Sequence, residues 1–477
     1  MRRRRGPGAG GSILRAAAAL ALAAVGCAPP SPPVPPPGER APSLAAAAQD
    51  APDPTGAAQD EPDPSGTAQD APDPTGAAQD EVRRMLLRVA QARGLPIRRE
   101  VPGLVLDRGA ILARIREHVA REIPAEAVTY QGEVLAALQL IPAEYDFAEG
   151  IYRLLEGRIA GFYEPVDATM YLVDDLDEAE ANETLAHELA HALQDQSYPL
   201  GPLLAYRPGD SDRLAAVHGL AEGDATSVML DVVAGSAFNI DEGLLRKLVA
   251  MSTAFSSVGD TPRALQESLG APYTDGFALV QGLRRQGGWP AVDAVWRAPP
   301  QTTEQLLHLD KLASREPAIP VPAPDVSSLG PGFRAVYDDV MGEQGARIAF
   351  EELGVRSAAL AAAAGWGGDR LVLALRDGAP GATPQAEGPR EYAVAWRLRF
   401  DTAADAREAA KLMEGRLGKG CQPRRDVGPI AWALRGSDVA LVAGPYERAG
   451  RAARSTGTCA KARAWVAAVV RAPLSAP

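Results

Sequence analysis

The chain is poor in the residues that most often staple a protein together or hold it in a membrane. Among 477 residues there are three cysteines and five histidines, and aromatics make up only 5%. Three cysteines allow at most one disulfide, which excludes a disulfide-dense scaffold. No apolar run reaches the roughly 20 residues a membrane-spanning helix needs. Basic residues are outnumbered, 49 against 61 acidic, for a net charge of −12. That balance argues against a nucleic-acid partner.

With histidine so scarce, the stretch His187-Glu188-Leu189-Ala190-His191 stands out. On a helix the two imidazoles share one face and can reach a single ion. Glu188 projects beside that ion, placed to take a proton from bound water. Ala181, Leu185, Leu189 and Ala192 recur at helical spacing, and no Gly or Pro interrupts residues 178–196, so a helix with one apolar face is expected. The plain alternative is a surface helix whose His and Glu are merely solvated.

A catalytic zinc takes three protein ligands and leaves one position for water. The metzincin spacing would put Gly at 194 and His at 197, but the chain has Gln194 and Ser197. Downstream, residues 214–233 read as a second, largely buried helix carrying Glu222. A carboxylate buried without a partner costs several kcal/mol, and a metal ion removes that cost. The alternative there is an exposed Glu-Gly-Asp break between two shorter helices.

The His187–His191 pattern followed by Glu222-Gly223-Asp224-Ala225 resembles the gluzincin class of zinc metallopeptidases. The fuller set is similar to a bacterial lipoprotein group assigned as metallopeptidases. It comprises Gly161-Phe162-Tyr163-Glu164-Pro165, Thr184 to Leu189, Ala192 to Gln196, Pro272 to Gly276, Gly287-Gly288-Trp289 and Pro299 to Gln305, within about 81–345. The resemblance implies a mainly helical, zincin-like core with a small β hairpin or sheet. It also implies one Zn2+ per chain on His187, His191 and Glu222, with Glu188 as general base. A Tyr or His would stabilise the oxyanion, with Tyr273 first and His308 and His218 behind it. Asp224 is an alternative third ligand. Position 226 is Thr where one common gluzincin pattern has Asp, which leaves the outer partner of His187 unassigned. Residues 157–173 read as a hairpin turning at 164–168. In that class an edge strand near the zinc holds an extended peptide, and one of these strands is expected to do so here. A hairpin that only roofs the helices is the other reading.

Four arginines at 2–5, an apolar stretch from Ile13 to Val25 and Ala24-Val25-Gly26-Cys27 resemble a bacterial lipoprotein signal. It would leave a lipidated Cys27 as a membrane anchor and place the body at the cell envelope. An ordinary secretory signal is the alternative. Removing residues 1–26, with their five arginines, takes the charge from −12 to −17. Residues 27–80 read as a disordered stalk: prolines crowd 29–37, and a ten-residue unit then repeats from Ala47, Ala57 and Thr67. Nine acidic residues and no basic ones fall between Asp50 and Glu81, so like charges extend it.

The remaining length suggests several parts. Residues 81–156 show helical periodicity through Val82, Met85, Leu86 and Val89, and their position ahead of the core suggests a covering segment. Residues 157–345 form the metallopeptidase core. Residues 346–477 read as a C-terminal antiparallel α+β module. Its strands are expected near 370–375, 392–398, 430–434 and 439–442, its helices near 404–417 and 461–470. Trp366-Gly367-Gly368-Asp369 reads as a tight turn. Cys421 and Cys459 are expected to be bonded. The whole is an α+β protein, expected to be a zinc peptidase acting on protein or peptide substrates. The competing expectation is a non-catalytic, lipid-anchored binding or scaffold protein with a structural zinc.

Overall fold

The computed structural model describes residues 74–156, 159–198, 200–241, 243–245, 247, 261–377 and 390–474. The signal, Cys27 and all but the end of the stalk lie outside these residues. Among the described residues no helix is long and apolar enough to cross a membrane. The chain is a mixed α+β protein.

Helix α1 (Pro74–Arg93) turns Val82, Met85, Leu86 and Val89 inward, all buried. Strand β1 (Gly103–Leu106) follows, then helices α2 (Arg108–Glu122), α3 (Ala125–Ala137) and α4 (Phe147–Glu156). Next come the hairpin strands β2 (Gly161–Glu164) and β3 (Thr169–Val173), paired antiparallel from Gly161↔Leu172 to Glu164↔Thr169. Helix α5 (Glu178–Ser197) carries the histidine pair, and α6 (Ser211–Val233) carries Glu222. Helix α7 (Arg263–Arg297) is broken at Gly287 and Gly288, which are non-helical. Helix α1 packs on both α5 and α6.

The buried helix expected through Glu222 is present, and the alternative of a break is not. Helix α6 runs through Glu222-Gly223-Asp224, and Gly223 serves packing. A Cβ on Gly223 would overlap the Gly276 backbone, and one on Gly276 would overlap the Gly219 carbonyl oxygen. Glycines are therefore what let α6 and α7 cross at backbone contact. Gly276→Ala is expected to force the helices apart and cost about 1–3 kcal/mol or more, read as a lower denaturation midpoint. Helix α1, the first part of the expected covering segment, is packed against α5 and α6. Arg93, at its end, is 1% exposed and bonds Asp224 of α6 at 2.6 and 3.0 Å, so α1 belongs to the core.

The small sheet has the order β1-β3-β2, with β1 parallel to β3. That leaves β2 at an edge, but it is not an open one. All four β2 residues are buried against α5, and the Tyr163 amide, pointing away from β3, donates to Glu188 Oε2 at 2.9 Å. The expected peptide-holding edge is thus closed on this side. Strand β1 was missed in the sequence because four residues without alternation give no period to read.

After a short helix α8 (Thr303–Leu307), a larger sheet begins with β4 (Arg334–Asp339), ahead of the boundary expected at 346. Helices α9 (Gly342–Glu351) and α10 (Arg356–Ala363) lead into β5 (Trp366–Arg376) and β6 (Arg390–Phe400). Helix α11 (Ala403–Leu417), β7 (Cys421–Gln422), β8 (Ile430–Arg435), β9 (Asp438–Ala449), β10 (Ala452–Ser455) and α12 (Cys459–Arg471) complete it. The seven strands run β4-β5-β6-β9-β8-β7 with β10 on β9, and all pairings are antiparallel. Alternation sorts the two faces: Ala374, Ala393, Ala395, Ala440 and Val442 meet Trp465 and Val469 of α12, while Leu373, Trp396 and Leu441 belong to the main core. Cys421 and Cys459 are disulfide-bonded, tying β7 to α12. Trp366-Gly367-Gly368-Asp369 is the bulged start of β5 instead of a turn. Glycine is required at 368 because the Ile319 carbonyl oxygen occupies the space of its Cβ.

Candidate metal centre

Helix α5 starts cleanly. Asp177 accepts the Glu180 amide while Glu180 reaches back to the Asp177 amide, a reciprocal cap. With nothing to break it, the helix presents His187, Glu188 and His191 from its middle turns toward α6. Three donor atoms converge there. His187 Nε2 lies 3.0 Å from Glu222 Oε2, His191 Nε2 lies 3.1 Å from His187 Nε2, and His191 Nε2 lies 3.5 Å from Glu222 Oε2. Zinc bound tetrahedrally at about 2.0–2.1 Å needs donors about 3.3–3.4 Å apart. The triangle therefore fits a zinc ion in size and donor type. Two ring nitrogens and a carboxylate oxygen are all able to offer a lone pair to one cation.

The surroundings fix those donors. His191 Nδ1 donates to Gln194 Oε1 at 2.9 Å, which leaves Nε2 as the donor to a metal. Gln194 Nε2 in turn donates to the Ala221 carbonyl at 3.0 Å, so one amide orders the histidine and joins α5 to α6. The signal was present in the sequence as a polar residue three places after His191, but without a third dimension it carried no role. His218 Nε2 lies 3.0 Å from the other carboxylate oxygen, Glu222 Oε1. His187 Nδ1 is buried and has no hydrogen-bond partner.

Glu188 sits beside the cluster, with ligand atoms of His187, Glu188 and His191 all within 4.8 Å of one another. Burial raises its carboxyl above the usual range, opposed by His191 and His187. Burial would lower His191, but the Glu222 carboxylate outweighs it and lifts the ring to about 9. Burial would likewise raise Glu222, yet His191 and hydrogen bonds from His187, His191 and His218 hold it well below the ordinary carboxylate value. A metal bound at this cluster would have to displace that proton.

Other predicted residues fall as follows. The Tyr273 ring lies 5.9 Å from the His187 ring, centroid to centroid. His308 is paired with Glu343 of α9 at 2.9 Å. Asp224 cannot serve as a third ligand: its oxygens accept from Arg93 and from Trp296 Nε1 at 2.7 Å. Tyr163 ties the hairpin to the helix twice, through its amide to Glu188 and through its hydroxyl to Asp195 at 3.1 Å, where Arg99 also bonds. The donors are sealed from solvent, with His187, Glu188, His191 and Glu222 each between 1 and 3% exposed.

A family model described as a domain of unknown function (DUF8575) matches residues 332–459. That span begins just ahead of β4 and covers the strands of the larger sheet together with α9, α10 and α11, leaving the histidine and glutamate helices outside it. No curated protein and no solved structure matches the chain.

Proposed function

We propose that this protein is a zinc-dependent peptidase of the gluzincin type, built on a zincin-like helical core. The observation that carries the reading is the convergence of His187 Nε2, His191 Nε2 and Glu222 Oε2 at 3.0–3.5 Å beside the buried Glu188. His187, His191 and Glu222 would hold one zinc, which when bound supplies an acidified water and polarises a peptide carbonyl. Glu188 would take the water proton as it attacks and hand it to the leaving amine. The Tyr163 amide holds one oxygen of Glu188, leaving Oε1 for the proton. Tyr273, packed near His187, is the candidate donor to the developing oxyanion. Anchorage at the cell envelope through Cys27, with protein or peptide substrates, completes the proposal.

The sealing of the four residues favours a second reading, a structural zinc in a non-catalytic binding or scaffold protein. Zinc content decides first. The purified protein is expected to carry about one zinc per chain, with His191→Ala and Glu222→Gln losing it or binding it much more weakly. A metal-free wild-type protein that takes up no added zinc would overturn both readings.

A further inference from the structure

His218 is fully buried on α6, one turn before Glu222. Its Nε2 lies 3.0 Å from Glu222 Oε1, while Glu222 Oε2 faces His187 and His191. His218 Nδ1 has no hydrogen-bond partner. In a neutral imidazole one nitrogen carries the proton, and here only Nε2 has an acceptor for it. The ring is thus set to donate to Oε1. Chain geometry fixes this arrangement, since residues four apart on a helix stack along one face.

We propose that His218 is a positioning residue that restricts Glu222 to a single metal-facing oxygen. The inference rests on the zinc reading above. A carboxylate with both oxygens unoccupied swings readily to chelate an ion through both. An N–H donated to Oε1 holds that oxygen away and keeps a coordination position for water. Gln194 gives His191 the same kind of support through Nδ1. Two of the three ligands are therefore braced from behind by buried polar side chains, both from the two ligand-bearing helices. This also assigns His218 away from the oxyanion: the nitrogen that would donate is already committed to Glu222.

The test uses full-length protein, zinc with a competing chelator, and cobalt(II) as a spectroscopic probe. His218→Asn removes the donor, because its amide stops short of Oε1, whereas the longer amide of His218→Gln reaches the Nε2 position. His218→Asn is expected to bind zinc about 10–100-fold more weakly than wild type. Its cobalt absorption should weaken as a fifth ligand atom enters, and His218→Gln should restore both. The denaturation midpoints of the metal-free variants check that the fold is intact. Wild-type affinity and spectrum in His218→Asn would overturn the assignment. So would equal loss in both variants, which would mark a packing role. A wild-type protein that binds no zinc would instead overturn the reading of the site itself.

Discussion

Glu188→Gln is expected to keep its zinc and lose peptide hydrolysis by roughly 10²–10⁴-fold, the range a general base contributes. The substitution is nearly isosteric, and the amide oxygen still accepts the Tyr163 N–H that Glu188 accepts at 2.9 Å. Glu188 is not among the three atoms that close the donor triangle, so metal content should stay near one per chain. The wild-type baseline comes from a peptide library screened with zinc-loaded protein. Activity that survives in Glu188→Gln at the wild-type rate would assign the proton transfer elsewhere. No activity in either protein, with zinc bound in both, would favour the structural-zinc reading. The comparison separates a base from a bystander because a structural site has no use for a carboxylate buried beside it.

The second large effect is on stability. Arg93→Met is expected to destabilise the fold by about 3–5 kcal/mol, because it strands a buried charge. Asp224 is completely buried and receives both a two-point bond from Arg93 and the Trp296 indole N–H. Arg93 also bonds Asp293 at 2.8 Å and lies over the Trp289 ring at 4.3 Å. Gly287 and Gly288, by leaving helical geometry, turn the chain just before Trp289. Denaturant unfolding reads the loss directly. Arg93→Met with Asp224→Leu should recover much of it, since removing both charges also removes their desolvation cost. An unchanged midpoint in Arg93→Met would show the pair to be energetically idle. Because Asp224 is two residues from Glu222, zinc affinity is expected to fall along with stability.

These residues show how far the sequence could be read. Helical spacing with no Gly or Pro was enough to place His187 and His191 on one helical face, and the apolar run around Glu222 marked it as an acid needing a partner. Both are local facts, decided within a few turns of helix. The antiparallel C-terminal strands and their two helices were legible for the same reason, as was the pairing of two remaining cysteines. Asp224 and Glu222 show the limit: adjacent in type and near in sequence, they point to different partners. Only the packing of α1 tells them apart, by bringing Arg93 to one and leaving the other to the histidines. Gly223, whose alternative reading in the sequence was an exposed break, is a contact point where the helix crosses Gly276 of its neighbour. Local period and residue chemistry by themselves determined which side chains could bind a metal. Tertiary structure alone decided which of them meet, what braces them and how deeply they are sealed, because those depend on contacts between segments that no local period encodes.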